Sequence, residues 1–240
     1  MAHLTGESKR RYVAGMFARI VGRYDLMNDL MTAGLHRRWK REAARVSSYG
    51  LQGKALDVST GTGDLVLALA RCPGIDQAVG VDLLPQMVTA ARKKATERRL
   101  GGKTAWALGD VLQLPFPEAT FACATAGFSL RNMADLRGAL AEMVRVVRPG
   151  GRITTLELSP MPGGPKSVLI RWYFHRLVPL IGQIVAGDRA AYTYLPQSVD
   201  RFLEADHLAS LLRDLGLTGV GYSRLGFGAV TLHWGDRPSA

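Results

Sequence analysis

Cysteine is scarce in this chain, with Cys72 and Cys123 the only two among 240 residues. Neither belongs to a CxxC pair or a Cys/His cluster, so a disulfide scaffold is excluded and nothing suggests a metal site. Two thiols and no secretory signal predict a reducing, cytoplasmic setting. Long apolar runs are lacking too. The best, Leu177 to Gly187, contains Pro179 and Gln183 and has Arg176 and Asp188 at its edges. It falls short of the roughly 20 residues that a spanning helix needs. Glycine numbers 27 but follows no three-residue period, which excludes a collagenous chain. Negative charge is in deficit, with 20 Asp and Glu against 31 Lys and Arg, a net +11. Such a chain attracts polyanions and anionic membrane surfaces, so nucleic acid and acidic lipid both stay open at this point. The hydrophobic content, 47%, is ordinary for a globular protein, and the length suits one sizeable domain with appendages.

The first fifty residues read as helical and basic. Ser8 is expected to cap a helix that carries Tyr12, Val13, Met16, Phe17 and Ile20 on one face. A second helix follows Asp25. The run His36-Arg37-Arg38-Trp39-Lys40-Arg41 opens a third, on which His36 reads as a surface residue. From Lys54 short apolar strands alternate with helices. Strands are predicted at 55–58, 78–82, 104–108, 121–126 and 152–158, and helices at 64–71, 85–98 and 134–147. Pro149-Gly150-Gly151 predicts a turn. Such alternation is the signature of a parallel α/β sheet, whose ligands sit beyond the C-terminal strand ends. Residues 159–205 break the rhythm with a Pro/Gly-rich entry (Pro160, Pro162, Pro165) and an apolar, aromatic and basic run. A helix over 205–215 and a hairpin around 220–232 follow, predicting that an antiparallel strand completes the sheet. The expected organisation is a helical lid over residues 1–50 and a main domain over 51–240, with a helical insertion at about 159–205.

Asp57-Val58-Ser59-Thr60-Gly61-Thr62-Gly63-Asp64 joins the first strand to its helix. Glycine serves there where the backbone needs positive φ or a ligand comes close. Asp82 ends the next strand, where a carboxylate can accept from both hydroxyls of a ribose. The layout serves a dinucleotide or S-adenosylmethionine. The third glycine of a dinucleotide fingerprint would fall on Val66, and Asp64 at the helix start would repel a pyrophosphate. S-adenosylmethionine has no phosphate and carries an ammonium and a sulfonium, which acidic surroundings favour. Asp110, ending the third strand, can accept from the adenine amino group while Leu83 and Met87 pack on the ring. Asp57, Gly61, Thr62, Gly63, Val111 and Gly127 complete the expected cofactor site. A Gly63→Val change is expected to block the cofactor through its Cβ. Asp64 serves equally well as a helix cap.

Gly61-Thr62-Gly63-Asp64 resembles the class I methyltransferases. Three separated motifs resemble, more narrowly, the ubiquinone/menaquinone biosynthesis C-methyltransferases. They are Arg23-Tyr24-Asp25-Leu26-Met27-Asn28-Asp29 with Gly34-Leu35-His36-Arg37-Arg38-Trp39-Lys40; Leu114-Pro115-Phe116-Pro117 with Gly127-Phe128-Ser129-Leu130-Arg131-Asn132-Met133-Ala134-Asp135; and Ala191-Tyr192-Thr193-Tyr194-Leu195-Pro196-Gln197-Ser198. The resemblance runs from about residue 12 to 235. Ser59-Thr60 departs from the small residue and Gly or Cys usual in the family, and Ser129 replaces an inner glycine.

The resemblance implies an α/β fold with a Rossmann-like, mostly parallel methyltransferase sheet and a C-terminal antiparallel strand. It implies methyl transfer from S-adenosylmethionine to a ring carbon of a polyprenylated quinol, foremost demethylmenaquinol to menaquinol, with the benzoquinol of ubiquinone synthesis as the alternative. No metal is called for. Arg131 and Asn132 would stand near the methyl donor, with Arg131 stabilising a developing phenolate or orienting a water. Asp25 is the candidate base, and Tyr24 the donor to a ring oxygen. The plainer alternatives are an Arg131–Asp135 ion pair and an aromatic staple at Tyr24. Arg171-Trp172-Tyr173-Phe174-His175-Arg176 suits transient contact with a bilayer, which would place the protein in the cytoplasm, peripheral to the inner face of the membrane. It suits a core helix or a homodimer contact equally. An RNA methyltransferase, which the +11 charge favours, would need an Asn/Asp-Pro-Pro-aromatic tetrad or a catalytic Cys motif. Neither is present, so no nucleic acid is expected as partner. A non-catalytic scaffold would have no use for Asp82.

Overall fold

Parallel strands covered by helices on both faces must be apolar on both faces, which is why they read as unbroken apolar runs. Four such runs form one half of the sheet: β1 (Gly53–Val58), β2 (Ile75–Asp82), β3 (Thr104–Leu108) at the edge, and β4 (Phe121–Gly127). The computed structural model describes residues 4–161 and 163–239. β5 (Val147–Leu158), β6 (Thr218–Leu225) and β7 (Val230–Asp236) complete a seven-stranded sheet of order β3-β2-β1-β4-β5-β7-β6. β7 alone runs antiparallel to its neighbours. The winding reverses between β1 and β4, so a crevice opens at the C-terminal ends of these strands.

One face of the sheet packs Leu56, Val58 and Ile153 against Leu140 and Met143 of α6 (Leu136–Val146) and Leu208 and Leu212 of α10 (Ala205–Asp214). On the other face Ala55, Ala78 and Cys123 meet Val66 and Leu69 of α4 (Asp64–Leu69) and Ala44 of α3 (Leu35–Ser48). Burial pushes the Cys123 thiol up to about 11, consistent with inert packing. α5 (Pro85–Glu97) starts, as predicted, with proline in its first turn.

The remaining helices share a separate apolar cluster. Met16 and Ile20 of α1 (Gly6–Ile20) and Met27 of α2 (Tyr24–Thr32) pack with helices of the 159–205 segment. Those are a π turn over Tyr173–Leu177, α8 (Val178–Ala186) and α9 (Arg189–Asp200), while α7 (Pro165–Trp172) leads into the π turn and contributes no described residue to the cluster. Polar ties reinforce the cluster: Arg19 Nε to Asp188 Oδ2 at 3.0 Å, and Tyr173 Oη to the Met31 carbonyl at 3.2 Å.

Several expectations are corrected. α1 begins after Thr5, so Ser8 lies inside the helix. Asp135 caps α6 by accepting from the Gly138 N–H at 2.9 Å. Pro149-Gly150-Gly151 does not take the chain out of the sheet. β5 starts at Val147 and absorbs these residues as an irregularity, pairing Phe121 with Val147 but Cys123 with Arg152. Only glycine fits at 151, where a Cβ would stand 2.4 Å from the Ala122 carbonyl oxygen. Pro162 lies outside the described residues. Among the described residues, no helix is long and apolar enough to cross a membrane.

Candidate active site

The loop after β1 is held from below and from the side. Asp57 is buried and accepts from the hydroxyls of Thr60 at 2.6 Å and Thr125 at 2.7 Å, bracing the loop against β4. Burial pushes its carboxyl up to about 7. The Gly61 N–H, with the residue at φ +56°, donates to Asp82 Oδ2 at 2.8 Å. Asp82 Oδ1 accepts from the Leu84 N–H at 2.9 Å. Burial raises the Asp82 carboxyl, and these backbone donors oppose the rise. A carboxylate has about four acceptor positions, so Asp82 keeps two for a ligand.

Above this loop lies a cavity of about 890 Å³. Gly61, Asp82, Leu83, Met87, Asp110, Val111 and Gly127 all line it. Asp57, Thr62 and Gly63 do not, and stand behind the loop. Gly63, at φ +81°, faces the packing layer: a Cβ there would lie 2.5 Å from the Trp106 ring and 2.9 Å from Ala91. The expected clash with the cofactor is therefore a clash with Trp106. Asp110 accepts from the Leu112 N–H at 3.0 Å and pairs with Arg10 of α1 at 2.9 Å. An acidic cleft with apolar Leu83 and Met87 beside Asp82 suits a cationic nucleoside such as S-adenosylmethionine.

A second cavity, of about 760 Å³, adjoins the first, and Phe17, Tyr24, Phe128 and Asn132 line both. Its wall is apolar, with Met16, Ile20 and Met31 from the N-terminal helices and Phe174 and Leu195 from the 159–205 segment. Arg131 lines it as well and is buried. Its partner is Glu157, not Asp135. Nη1 binds that fully buried carboxylate and the Phe128 carbonyl at 2.8 Å. Around this cavity Arg131 Nε, Asn132 Oδ1 and Tyr192 Oη are buried without a protein partner. Buried polar atoms are normally paired, so these three are positions at which a ligand can bond.

A model described as the ubiE/COQ5 methyltransferase family matches residues 5–237. The chain belongs to that family. A demethylmenaquinone methyltransferase of Thermus thermophilus is 41% identical over 224 residues, covering 93% of this chain and 100% of that one. A ubiquinone/menaquinone biosynthesis C-methyltransferase of Dinoroseobacter shibae is 36% identical over 229 residues, covering 95% and 92%. Among solved structures, a SAM-dependent methyltransferase from Aquifex aeolicus matches with a TM-score of 0.62 at 16% identity, over 89% of this chain and 97% of that one. That likeness is one of fold. The chain is an S-adenosylmethionine-dependent methyltransferase, and the first cavity suits that donor.

In this methyltransferase the N-terminal helices are tied to the glycine loop by ion pairs. Asp25, expected as a base, lines neither cavity. Its Oδ1 accepts from the Thr62 hydroxyl and its Oδ2 from Lys94 Nζ, both at 2.6 Å. Lys94 also binds Asp64 at 2.9 Å, and Lys40 of α3 binds Asp64 at 2.8 Å. Burial alone would raise the Asp64 carboxyl; the ammonium groups of Lys40 and Lys94 outweigh it and hold that carboxyl well below the ordinary range. Asp64 makes no side-chain cap on α4. His36 is not a surface residue either. It is 2% exposed, lines the second cavity, and lies with Nε2 2.8 Å from Asp29 Oδ1. Burial, with Lys40 nearby, lowers its pKa and keeps the ring neutral at pH 7.

Proposed function

We propose that this enzyme methylates a ring carbon of a polyprenylated quinol, converting demethylmenaquinol to menaquinol. The carrying observation is the junction of an acidic cleft with an apolar cavity at Phe17, Tyr24, Phe128 and Asn132. A flat, greasy quinol suits the second cavity. The name of the relative at 41% identity supports a naphthoquinol over a benzoquinol.

Bound in the first cavity, S-adenosylmethionine supplies a methyl group activated by the sulfonium. Asp82 and the Gly61 loop fix the ribose end, while Tyr24 and Asn132 orient the acceptor at the junction. Holding two reactants in line in this way can lower a barrier by roughly 7–11 kcal/mol. Glu157 keeps the Arg131 guanidinium in place, and the Arg131 Nε, which has no protein partner, meets the negative charge that develops on the ring oxygen as a water accepts the phenolic proton. α1 and α2 act as a lid that excludes water. Because the tail costs about 0.8 kcal/mol per methylene to withdraw from a bilayer, the enzyme works at a membrane surface.

Methyl transfer from labelled S-adenosylmethionine to chemically reduced demethylmenaquinone, a benzoquinone acceptor and bulk RNA, run side by side, tests the reading. Label on the naphthoquinol is the expected result. Label on the benzoquinol alone would move the substrate to the ubiquinone branch, and label on RNA alone would overturn the proposal.

A further inference from the structure

A third cavity, of about 640 Å³, lies between α7, α9 and the end of β5. Leu158 and Phe174 line both it and the acceptor cavity, so the two abut. Ile170, Pro196, Val199 and Ala229 give the third cavity an apolar wall. The π turn over Tyr173–Leu177 accompanies this arrangement; such turns insert an extra residue and often mark functional sites. At the mouth, Asp200 pairs with His175 at 3.0 Å and faces Arg171 at 4.0 Å.

Outside the mouth the helices do not bury their large side chains. Val168, Leu169, Trp172, Leu180 and Ile184 are 51–75% exposed. Their three- and four-residue spacing places them along one stripe with the exposed Arg176. Asp188, the acidic residue at the end of α8, is already paired with Arg19. Exposed apolar side chains flanked by arginine, on a chain of net charge +11, complement an anionic lipid surface.

We infer that the third cavity is the passage by which the polyprenyl tail leaves the acceptor cavity, and that the exposed stripe of α7 and α8 seats its mouth on an anionic bilayer. The inference rests on the quinol reading above and adds the route and the face. A tail held in this way passes from protein to lipid without crossing water.

Two acceptors separate the passage from the chemistry: prenylated demethylmenaquinol in phosphatidylglycerol vesicles, and tail-less reduced naphthoquinone. Ala229→Phe and, from the opposite wall, Val199→Trp fill the passage. Each should lower kcat/KM for the prenylated acceptor at least tenfold and change it less than twofold for the tail-less one. Trp172→Glu combined with Ile184→Glu should abolish flotation with phosphatidylglycerol vesicles and spare tail-less turnover. The inference is overturned if both passage variants affect the two acceptors equally or not at all. It also fails if the wild type floats no better with phosphatidylglycerol than with phosphatidylcholine, or if sedimentation finds a dimer that Trp172→Glu dissolves. A wild type that methylates neither acceptor would overturn the quinol reading itself, a result distinct from all of these.

Discussion

Replacing Gly63 by alanine asks which side of the glycine loop carries the donor. The residue sits at φ +81°, where an L side chain costs roughly 1–2 kcal/mol. The added methyl would stand 2.5 Å from the Trp106 ring and 2.9 Å from Ala91, so β3 or α5 must shift. Overpacking of this kind costs typically about 1–3 kcal/mol. The sum, about 2–5 kcal/mol, corresponds in a chain of this size to a melting temperature lower by about 4–20 °C. Trp106→Leu supplies the control. In that background Gly63→Ala should cost less, the backbone part of about 1–2 kcal/mol plus what remains of the contact with Ala91. The assay is thermal and urea unfolding of the four proteins, with calorimetric titration of S-adenosylmethionine on each. Donor affinity should change little wherever the protein is folded. A Gly63→Ala protein with unaltered melting but lost donor binding would refute the placement of Gly63 behind the loop.

Asp82→Ala removes the carboxylate that Gly61 and Leu84 share with the ligand site. It should weaken donor binding by roughly 1.5–3 kcal/mol, and unchanged calorimetric affinity would refute its role. Asp25→Asn should keep the pH profile of turnover, because Asp25 is tied to Thr62 and Lys94 outside both cavities. Loss of the acid limb in that variant would restore Asp25 as a base. Asp57 gives a pH signature of stability. Its folded carboxyl, near 7 against an ordinary 3.8, holds its proton more tightly than the unfolded chain does. The associated stability is present below about pH 4 and lost as pH rises to about 7, by up to about 4 kcal/mol. Urea midpoints across pH 4–8 should therefore fall less in Asp57→Asn than in the wild type, and parallel curves would count against it.

Those parts of the fold that local pattern dictates were legible in the sequence. Apolar runs marked β1 to β4, Pro85 marked the start of α5, and the glycine-rich break at 224–228 marked the hairpin that leaves β7 antiparallel. The residues that line the first cavity were legible for the same reason, since Asp82 ends β2 and Gly61 and Asp110 fall in the loops just after β1 and β3. What was hidden depends on contacts between distant segments. His36 sits in a run of arginine and lysine that reads as solvated, yet Asp29 and Asp64 surround it in space. Lys40, Lys94 and Asp25 join around Asp64 in one charge cluster drawn from α3, α5, α2 and α4. Glu157 did leave a trace, as a carboxylate inside an otherwise uncharged strand run from Ile153. Pairing with Arg131 across 26 residues was the piece that spacing could not supply.

The packing of α1 and α2 has a consequence for the order of events during synthesis. Their apolar faces close on the 159–205 segment, and the Arg19–Asp188 tie spans 169 residues. At translation rates of about 5–20 residues per second, Met16, Ile20 and Met27 emerge on the order of 10–30 s before their partners exist. Long-range closure of this kind is slow and leaves greasy helices exposed to the cell. Until residue 188 has cleared the ribosome, these faces lack the partners that bury them in the folded enzyme. The second cavity, lined from Met16 to Leu195, is completed late, whereas every residue lining the first lies before residue 135.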